Sequence, residues 1–245
     1  MLSVNKIEFI TKLCRGKSVL DLGCVRHSAE FSLKDPNWLH MHLFNVSSHI
    51  VGVDYLQDEV EKINVNKLLN VICGDVTKPL PINEQFDVIV AGDLIEHLSN
   101  FEGFFENVNR LLNDNGLLII TTPNPFYREE FFHSALKNKV LVNPEHTCWI
   151  DPKCLEQLAN RFNLKINTIY GINNTAWRLS DFITNREYDM LNGIWLKDEL
   201  TDKIHRKIIS TLFSIIYMPI KHTIKNDSVK YADYLAIIQK EDNNV

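Results

Sequence analysis

Four carboxylates in this sequence each close a short apolar run: Asp21 in VLDLGC, Asp54 in VGVDYL, Asp75 in VICGDV and Asp93 in VIVAGDL. At such places a carboxylate accepts hydrogen bonds from the hydroxyls of a ribose or the amino group of a base. Three further groups are of the kind that moves protons: Glu96 and His97, which follow Asp93 in GDLIEHL, and His146 in NPEHTCW, beside Glu145. Histidine titrates closest to neutral pH, so His97 and His146 are the candidate general bases, with Glu96 at their side.

These groups need a frame, and the apolar pattern supplies one. Runs at 18–22, 50–54, 70–73, 86–91 and 116–121 read as buried strands, with helical patterns between them near 28–46, 56–68 and 100–113. In the last, Phe101, Phe104, Phe105, Val108, Leu111 and Leu112 share one stripe, and Gly116 follows its end. Alternation of this kind implies right-handed crossovers and a largely parallel sheet, whose ligands lie beyond the carboxyl ends of the strands. That is the edge on which all four acids fall. A helix at 153–162 after Pro152 and a strand at 164–170 extend the pattern, and KYADYLAIIQKE reads as a final strand, antiparallel beside its predecessor. Residues 172–228 form an insertion of irregular and helical character, so the expectation is a single domain over 1–245 with a helical insertion before the last strand.

The bulk properties narrow the classes. The chain has 245 residues, 45% hydrophobic and 23% charged, enough apolar content for a real core and too ordered in composition for a disordered chain. A net charge of −5 provides no global basic field, so no DNA partner is expected. The N-terminal stretch has no signal-peptide core, and no run approaches a membrane span; the expected location is cytoplasmic. Cys14, Cys24, Cys73, Cys148 and Cys154 are scattered without a C-x-x-C pair, which fits reduced thiols rather than a zinc site or a disulfide framework.

Gly23 after the first strand permits a sharp turn and a close approach of backbone N–H groups to a ligand. Asp54 is placed for ribose hydroxyls; Asp75 either accepts from an adenine amino group or caps the turn that follows it. There is no complete G-x-G-x-x-G and no G-x-x-x-x-G-K-[ST], so nothing here holds a pyrophosphate. The ligand expected is a nucleoside without phosphates.

Taken together, VLDLGC, VGVDYL, CGDVTKPLP, FDVIVAGDLIEHLSN and LLNDNGLLIITTPNP resemble, in order and spacing, the motifs of class I S-adenosylmethionine-dependent methyltransferases over about residues 15–170. The resemblance implies an α/β, Rossmann-like fold: a seven-stranded, mostly parallel sheet with the last strand reversed and helices on both faces. It implies a cofactor site of Asp21, Gly23, Cys24, His27, Asp54, Tyr55, Asp75, Val76, Asp93 and Leu94, with Asp54 on the ribose and Asp75 on the adenine. The chain departs from the family at D-x-G-x-G-x-G, where Val25 and His27 replace the second and third glycines. Retention of Asp54 and Asp75 points to a wider loop path around the methionine moiety rather than lost binding. The segment DPNWLHMHLFNV adds material between Asp21 and Asp54, in which His40 and His42 read as surface or packing residues.

Methyl transfer to a hydroxyl needs alignment, exclusion of water and a base for the hydroxyl proton. His97 or His146 would be that base. Asp93-x-x-Glu96-His97 with His146 also resembles the E-x-x-E-H…H metal set of small-RNA terminal 2′-O-methyltransferases, and IEHL resembles metal-tolerant quinone O-methyltransferases. A divalent metal is thereby an option but not the expectation, and its ligands stay unassigned. In TTPNPFY, Asn124, Phe126, Tyr127 and Arg128 either line the acceptor site or merely end the strand. Lys203, Arg206, Lys207, Lys221 and Lys225 flank an apolar helical stripe over 203–225, which reads as a lid or homodimer contact, with a peripheral membrane surface as the alternative. Trp177, Arg178, Tyr188 and Trp195 are of the type that stacks on sugars. LDLGCVRHS, NWLH and EHTCWI look most like methyltransferases accompanying bacterial glycan synthesis. The reading is therefore an O-methyltransferase of a sugar or surface-glycan hydroxyl, its acceptor a small molecule or glycan. The alternatives are a metal-assisted RNA or quinone O-methyltransferase and an inactive, methyltransferase-like binding or scaffolding protein.

Overall fold

The computed structural model describes residues 2–65, 68–127, 143–172 and 231–241, together with the backbone of 188–189 and 194–195. Its strands are β1 (Ser3–Val4), β2 (Ser18–Leu22), β3 (His49–Asp54), β4 (Val71–Cys73), β5 (Phe86–Gly92), β6 (Leu112–Pro123), β7 (Leu164–Ile172), β8 (Tyr188–Asp189), β9 (Ile194–Trp195) and β10 (Asp233–Lys240). The helices are α1 (Lys6–Cys14), α2 (Ala29–Lys34), α3 (Leu39–Phe44), α4 (Gln57–Asn64), α5 (Phe101–Leu111) and α6 (Pro152–Arg161).

The main sheet runs β1-β7-β10-β6-β5-β2-β3-β4. Its centre is parallel, and β10 inserts antiparallel between β6 and β7, with Ala236 opposite Ile120 on one side and Ile169 on the other. The expected reversed last strand is present, but the sheet has eight strands rather than seven. The extra one is β1, which pairs parallel with the end of β7 through Ser3 and Val4. Two residues are too few to show a period-2 pattern in sequence.

Alternate residues of the central strands feed two layers. Ile89 and Ala91 of β5 join Leu20, Leu22, Phe104, Phe105, Val108 and Leu111 on one face, where α5 lies. Val88 and Val90 join Val19, Ile10, Cys14 and Leu43 on the other, against α1 and α3. Burial of each large side chain contributes roughly 1.5–3 kcal/mol, so these layers fix the sheet and with it the edge that carries the acids. The helices start where their sequences cap them: Ser28 accepts from Phe31 N–H, Asn100 from Gly103 N–H, and Asp151 from the N–H groups of Lys153 and Cys154, with Pro152 in the first turn.

The helical pattern expected over 28–46 is two helices, not one. Pro36 cannot continue α2, and the residue before it is pushed into extended backbone; Asp35 has φ −81° and ψ 115°. The chain therefore turns at 35–38 and starts again as α3, a break with consequences for the site. Within the insertion at 172–228, the described residues are β8 and β9, which pair antiparallel. Its expected helical character, the basic stripe at 203–225, Trp177, Arg178 and, before it, Arg128 lie outside the described residues. No described helix is long and apolar enough to cross a membrane.

Candidate active site

The loop after β2 turns at Gly23, whose φ of +71° is open to glycine at no steric cost. A Cβ there would also lie 2.8 Å from Leu94 Cδ1, so Gly23 is needed twice, for its angle and for its space. The loop's amides face inward. Gly23 and Cys24 N–H donate to Val53 O (2.8 and 3.3 Å), Val25 N–H to Asp54 Oδ2 (2.9 Å) and Arg26 N–H to Ser32 Oγ (2.9 Å). β3, Asp54 and α2 thus take the amides of residues 23 to 26. At the third-glycine position His27 keeps the left-handed conformation, with φ +51°. An L-residue in that region costs on the order of 1 kcal/mol. His27→Gly is expected to leave the fold intact and raise stability by up to about 1 kcal/mol; thermal melting checks this, and a clear fall in Tm would mean that the His27 ring, edge-on to Phe31 at 6.1 Å, contributes more than the strain.

Asp21 is 3% exposed, and its Oδ2 meets Nδ1 of His40 at 2.9 Å. His40 was expected at the surface or in packing; it is 1% exposed, paired, and its Nε2 is buried without a partner. A buried polar atom left so costs roughly 1–3 kcal/mol. Cys24 is 5% exposed and turns its thiol into the core, where burial, then Asp21 and Asp54, push its pKa well up. Its side chain thus packs beneath the loop, in one cluster with Val25, Ala29 and Trp38. Asp54 is 4% exposed and accepts from Val25 N–H and, at 3.1 Å, from Leu56 N–H. Burial outweighs these bonds and lifts its carboxyl above the ordinary value. Tyr55 beside it is exposed, and Val76 is buried. Asp75 accepts from the N–H (2.9 Å) and hydroxyl (2.7 Å) of Thr77 and pairs with Lys78, so it does cap the turn; Thr77's two bonds hold its carboxyl below the ordinary value.

Beyond β5 the chain enters a 3-10 turn, Ile95–His97. Asp93, at φ +51°, is held by Thr121 Oγ1 (2.7 Å) and by an ion pair with Lys6 at the start of α1. Although desolvation works to raise it, the Lys6 charge and hydrogen bond together with Thr121 hold Asp93 below the ordinary value. Glu96 is 2% exposed and accepts from Thr122 Oγ1 at 2.9 Å; burial, and then the Asp93 charge, push it up to about 8. His146 reaches this turn through main-chain bonds, since Thr147 and Cys148 N–H both donate to Glu96 O (2.9 and 3.3 Å). The His97 and His146 rings stand edge to face, centroids 4.7 Å apart. Burial, and then His97, hold His146 below its ordinary value, which favours the neutral imidazole. Leu94, one residue from this turn, is the side chain that fills the space at Gly23, which puts the cluster beside the β2 loop.

Ligand-type atoms of Glu96, His97 and His146 lie within 4.8 Å of one another. One carboxylate and two imidazoles are a donor set suited to a divalent transition metal, so the residues present fit such an ion. Asp93 stands outside the set, its oxygens taken by Lys6 and Thr121. Asn124 is 6% exposed and ties the turn after β6 to the segment before β10, donating to Tyr231 O (2.9 Å) and accepting from Phe126 N–H (3.1 Å), while Phe126 is exposed. Lys6, Thr121, Thr122, Trp38 and His40 belong to this neighbourhood and were not singled out as site residues. TTPNP carried a signal for the threonines; Lys6 carried none.

A methyltransferase-domain family matches residues 4–169. The chain is 23% identical to a ubiquinone biosynthesis O-methyltransferase of Pelagibacter ubique over 189 residues, 72% of this chain and 75% of that one. In fold it is similar to the small RNA methyltransferase HEN1, with a TM-score of 0.56 and 16% identity over 98% of this chain and 25% of that one. It is similar too to an O-methyltransferase from a Brevibacillus brevis multienzyme, solved with S-adenosyl-L-homocysteine, with a TM-score of 0.52 and 13% identity over 96% and 72%. An α/β sheet with acids at its strand ends and a reversed last strand agrees with these likenesses: the chain belongs to the methyltransferase-domain family and is an S-adenosylmethionine-dependent enzyme.

Proposed function

We propose that the chain is an O-methyltransferase whose methyl group passes from S-adenosylmethionine to a hydroxyl held beside His97 and His146. The observation that carries this reading is the meeting of Glu96, His97 and His146 one turn from Leu94, the residue packed on the β2 loop. The nucleoside lies along Gly23, His27, Asp54, Tyr55, Asp75 and Val76, with Asp93 and Leu94 on its other side.

In the transfer the acceptor oxygen attacks the methyl carbon, the carbon–sulfur bond breaks, and S-adenosylhomocysteine leaves neutral. The hydroxyl proton passes to an imidazole. His146 suits the task because burial favours its neutral, proton-accepting form and because it is half-buried, edge to face with His97. Alignment of acceptor and methyl group accounts for much of the rate, since the displacement needs little else. A divalent ion held by Glu96, His97 and His146 would acidify the acceptor hydroxyl instead, and with both imidazoles then serving as ligands the released proton would pass to solvent rather than to a histidine.

The acceptor read from the sequence is a sugar or surface-glycan hydroxyl. A second reading, the aromatic hydroxyl of a quinone precursor, is supported by the Pelagibacter relative, a ubiquinone biosynthesis O-methyltransferase. One experiment separates them: methyl-labelled S-adenosylmethionine is incubated with the chelator-treated protein and with sugar or catechol acceptors, with and without added Mg²⁺, Mn²⁺ or Zn²⁺. Label in an alkali-stable ether is expected. Transfer only to nitrogen or carbon acceptors would overturn the oxygen reading, and a rate indifferent to chelation and to every ion would remove the metal.

A further inference from the structure

The β2 loop carries Val25 and His27 where the family has glycines, and two side chains from the start of α3 hold it. Trp38, at the N-terminal cap of α3 and 2% exposed, donates Nε1–H to the carbonyl of Cys24 at 2.7 Å. Two residues on, His40 reaches Asp21 with Nδ1 at 2.9 Å. The two rings pack with centroids 5.3 Å apart. Both contacts are buried and join the start of α3 to the β2 strand and its loop.

The sheet makes room for this arrangement. A Cβ on Gly52 of β3 would sit 2.8 Å from His40 Cε1 and 2.8 Å from Cys24 Sγ. The glycine that the loop lacks is thus matched by one beneath it, opposite the imidazole. With Nδ1–H given to the Asp21 carboxylate, Nε2 is left as a buried acceptor without a partner. If His40 were only filling space, an apolar ring would do so without burying an unpaired nitrogen. What the imidazole adds is a donor directed at Asp21.

We propose that His40 and Trp38 are positioning residues for the cofactor loop, holding Asp21 and the Cys24 carbonyl from below in place of the conformational fit that glycines at 25 and 27 give other family members. The break at Pro36 is what makes this feasible, because it turns the chain so that α3 begins with Trp38 under Cys24. The inference rests on the loop being the S-adenosylmethionine site, and the test keeps the two apart.

Titration calorimetry with S-adenosylhomocysteine on the full chain is run for the unsubstituted protein and for His40→Leu, His40→Asn, Trp38→Phe and Leu43→Ala, each with a thermal melt. Asparagine carries an N–H donor near the place of Nδ1; leucine carries none. Leu43 is fully buried on the same helix but packs with Ile10, Val19 and Val88 rather than in the cluster of Cys24, Val25 and Trp38, so its truncation reports lost stability. The expected result is a Kd raised at least about tenfold by His40→Leu and severalfold by Trp38→Phe, near the unsubstituted value for His40→Asn, and unmoved by Leu43→Ala despite a lower Tm. Affinity kept by His40→Leu overturns the proposal, as does equal loss in the asparagine and leucine variants or in Leu43→Ala. Should His40→Leu not fold, an unchanged Kd for Trp38→Phe overturns it instead. If the unsubstituted protein binds nothing, the cofactor reading of the loop falls and this proposal with it; if it binds and the variants bind alike, only the positioning role falls.

Discussion

Asp54→Ala is expected to weaken S-adenosylmethionine binding at least about 100-fold. Two losses combine. A hydrogen bond to a charged acceptor contributes about 1.5–3 kcal/mol, and the ribose contact assigned to Asp54 is of that kind. The substitution also strips Val25 N–H and Leu56 N–H of their acceptor, and the first of these is what holds the far side of the β2 loop. Together they reach the roughly 2.7 kcal/mol that a hundredfold change in Kd requires. Stability should fall less than affinity. Burial already disfavours the Asp54 carboxylate, so removing it relieves a desolvation cost while orphaning the amides. Asp54→Asn, which retains one oxygen acceptor, should lie between the two. Calorimetry decides the matter: an affinity unchanged in Asp54→Ala would refute both the ribose contact and the loop-holding role.

The second large effect concerns pH. Glu96 is lifted from 4.5 to about 8 in the folded chain by burial, aided by Asp93. Between those values the folded protein holds a proton that the unfolded chain releases. Its contribution to stability is therefore fully present below about pH 4.5 and is lost as pH rises through about 8. At about 1.4 kcal/mol per pH unit, the loss amounts to something on the order of 3–5 kcal/mol across the window. Glu96→Gln can keep the bond from Thr122 and cannot ionise, so its stability should be flatter with pH and should exceed that of the unsubstituted protein at about pH 8.5. Denaturant unfolding from pH 5 to 8.5, in the presence of a chelator so that no cation displaces the proton, supplies the comparison. Parallel curves for the two proteins would show that Glu96 ionises normally.

Much of the frame was legible because parallel strands buried on both faces leave unbroken apolar runs, and the helices between them carry caps or amphipathic stripes. Asp21, Asp54, Asp75 and Asp93 could be placed on one edge for the same reason. The side chains' directions were not legible. Asp21 and Cys24 both sit at the expected turn, yet one is committed to His40 and the other faces the core, because the split of α2 from α3 brings an imidazole under the loop and Gly52 leaves it room. Periodicity registers a helix and misses a break made by a single proline. The Lys6–Asp93 pair joins residues 87 positions apart and left no trace in either segment. Glu96 and His97 were visible as neighbours, but their union with His146 depends on which carbonyl Thr147 and Cys148 choose.

That choice has a consequence for how such a site can change over time. His146 is delivered to His97 by main-chain donors acting on the main-chain oxygen of Glu96, helped by Thr147 Oγ1 at 3.2 Å, and the far end of the segment is fastened where Tyr234 donates to Ile150 O at 2.8 Å. None of the main-chain bonds asks what side chain stands at 96, 97 or 146. The scaffold and the reacting groups are therefore separable: those three positions can be exchanged, by selection or by a protein engineer, while the crossing that brings them together stays in place.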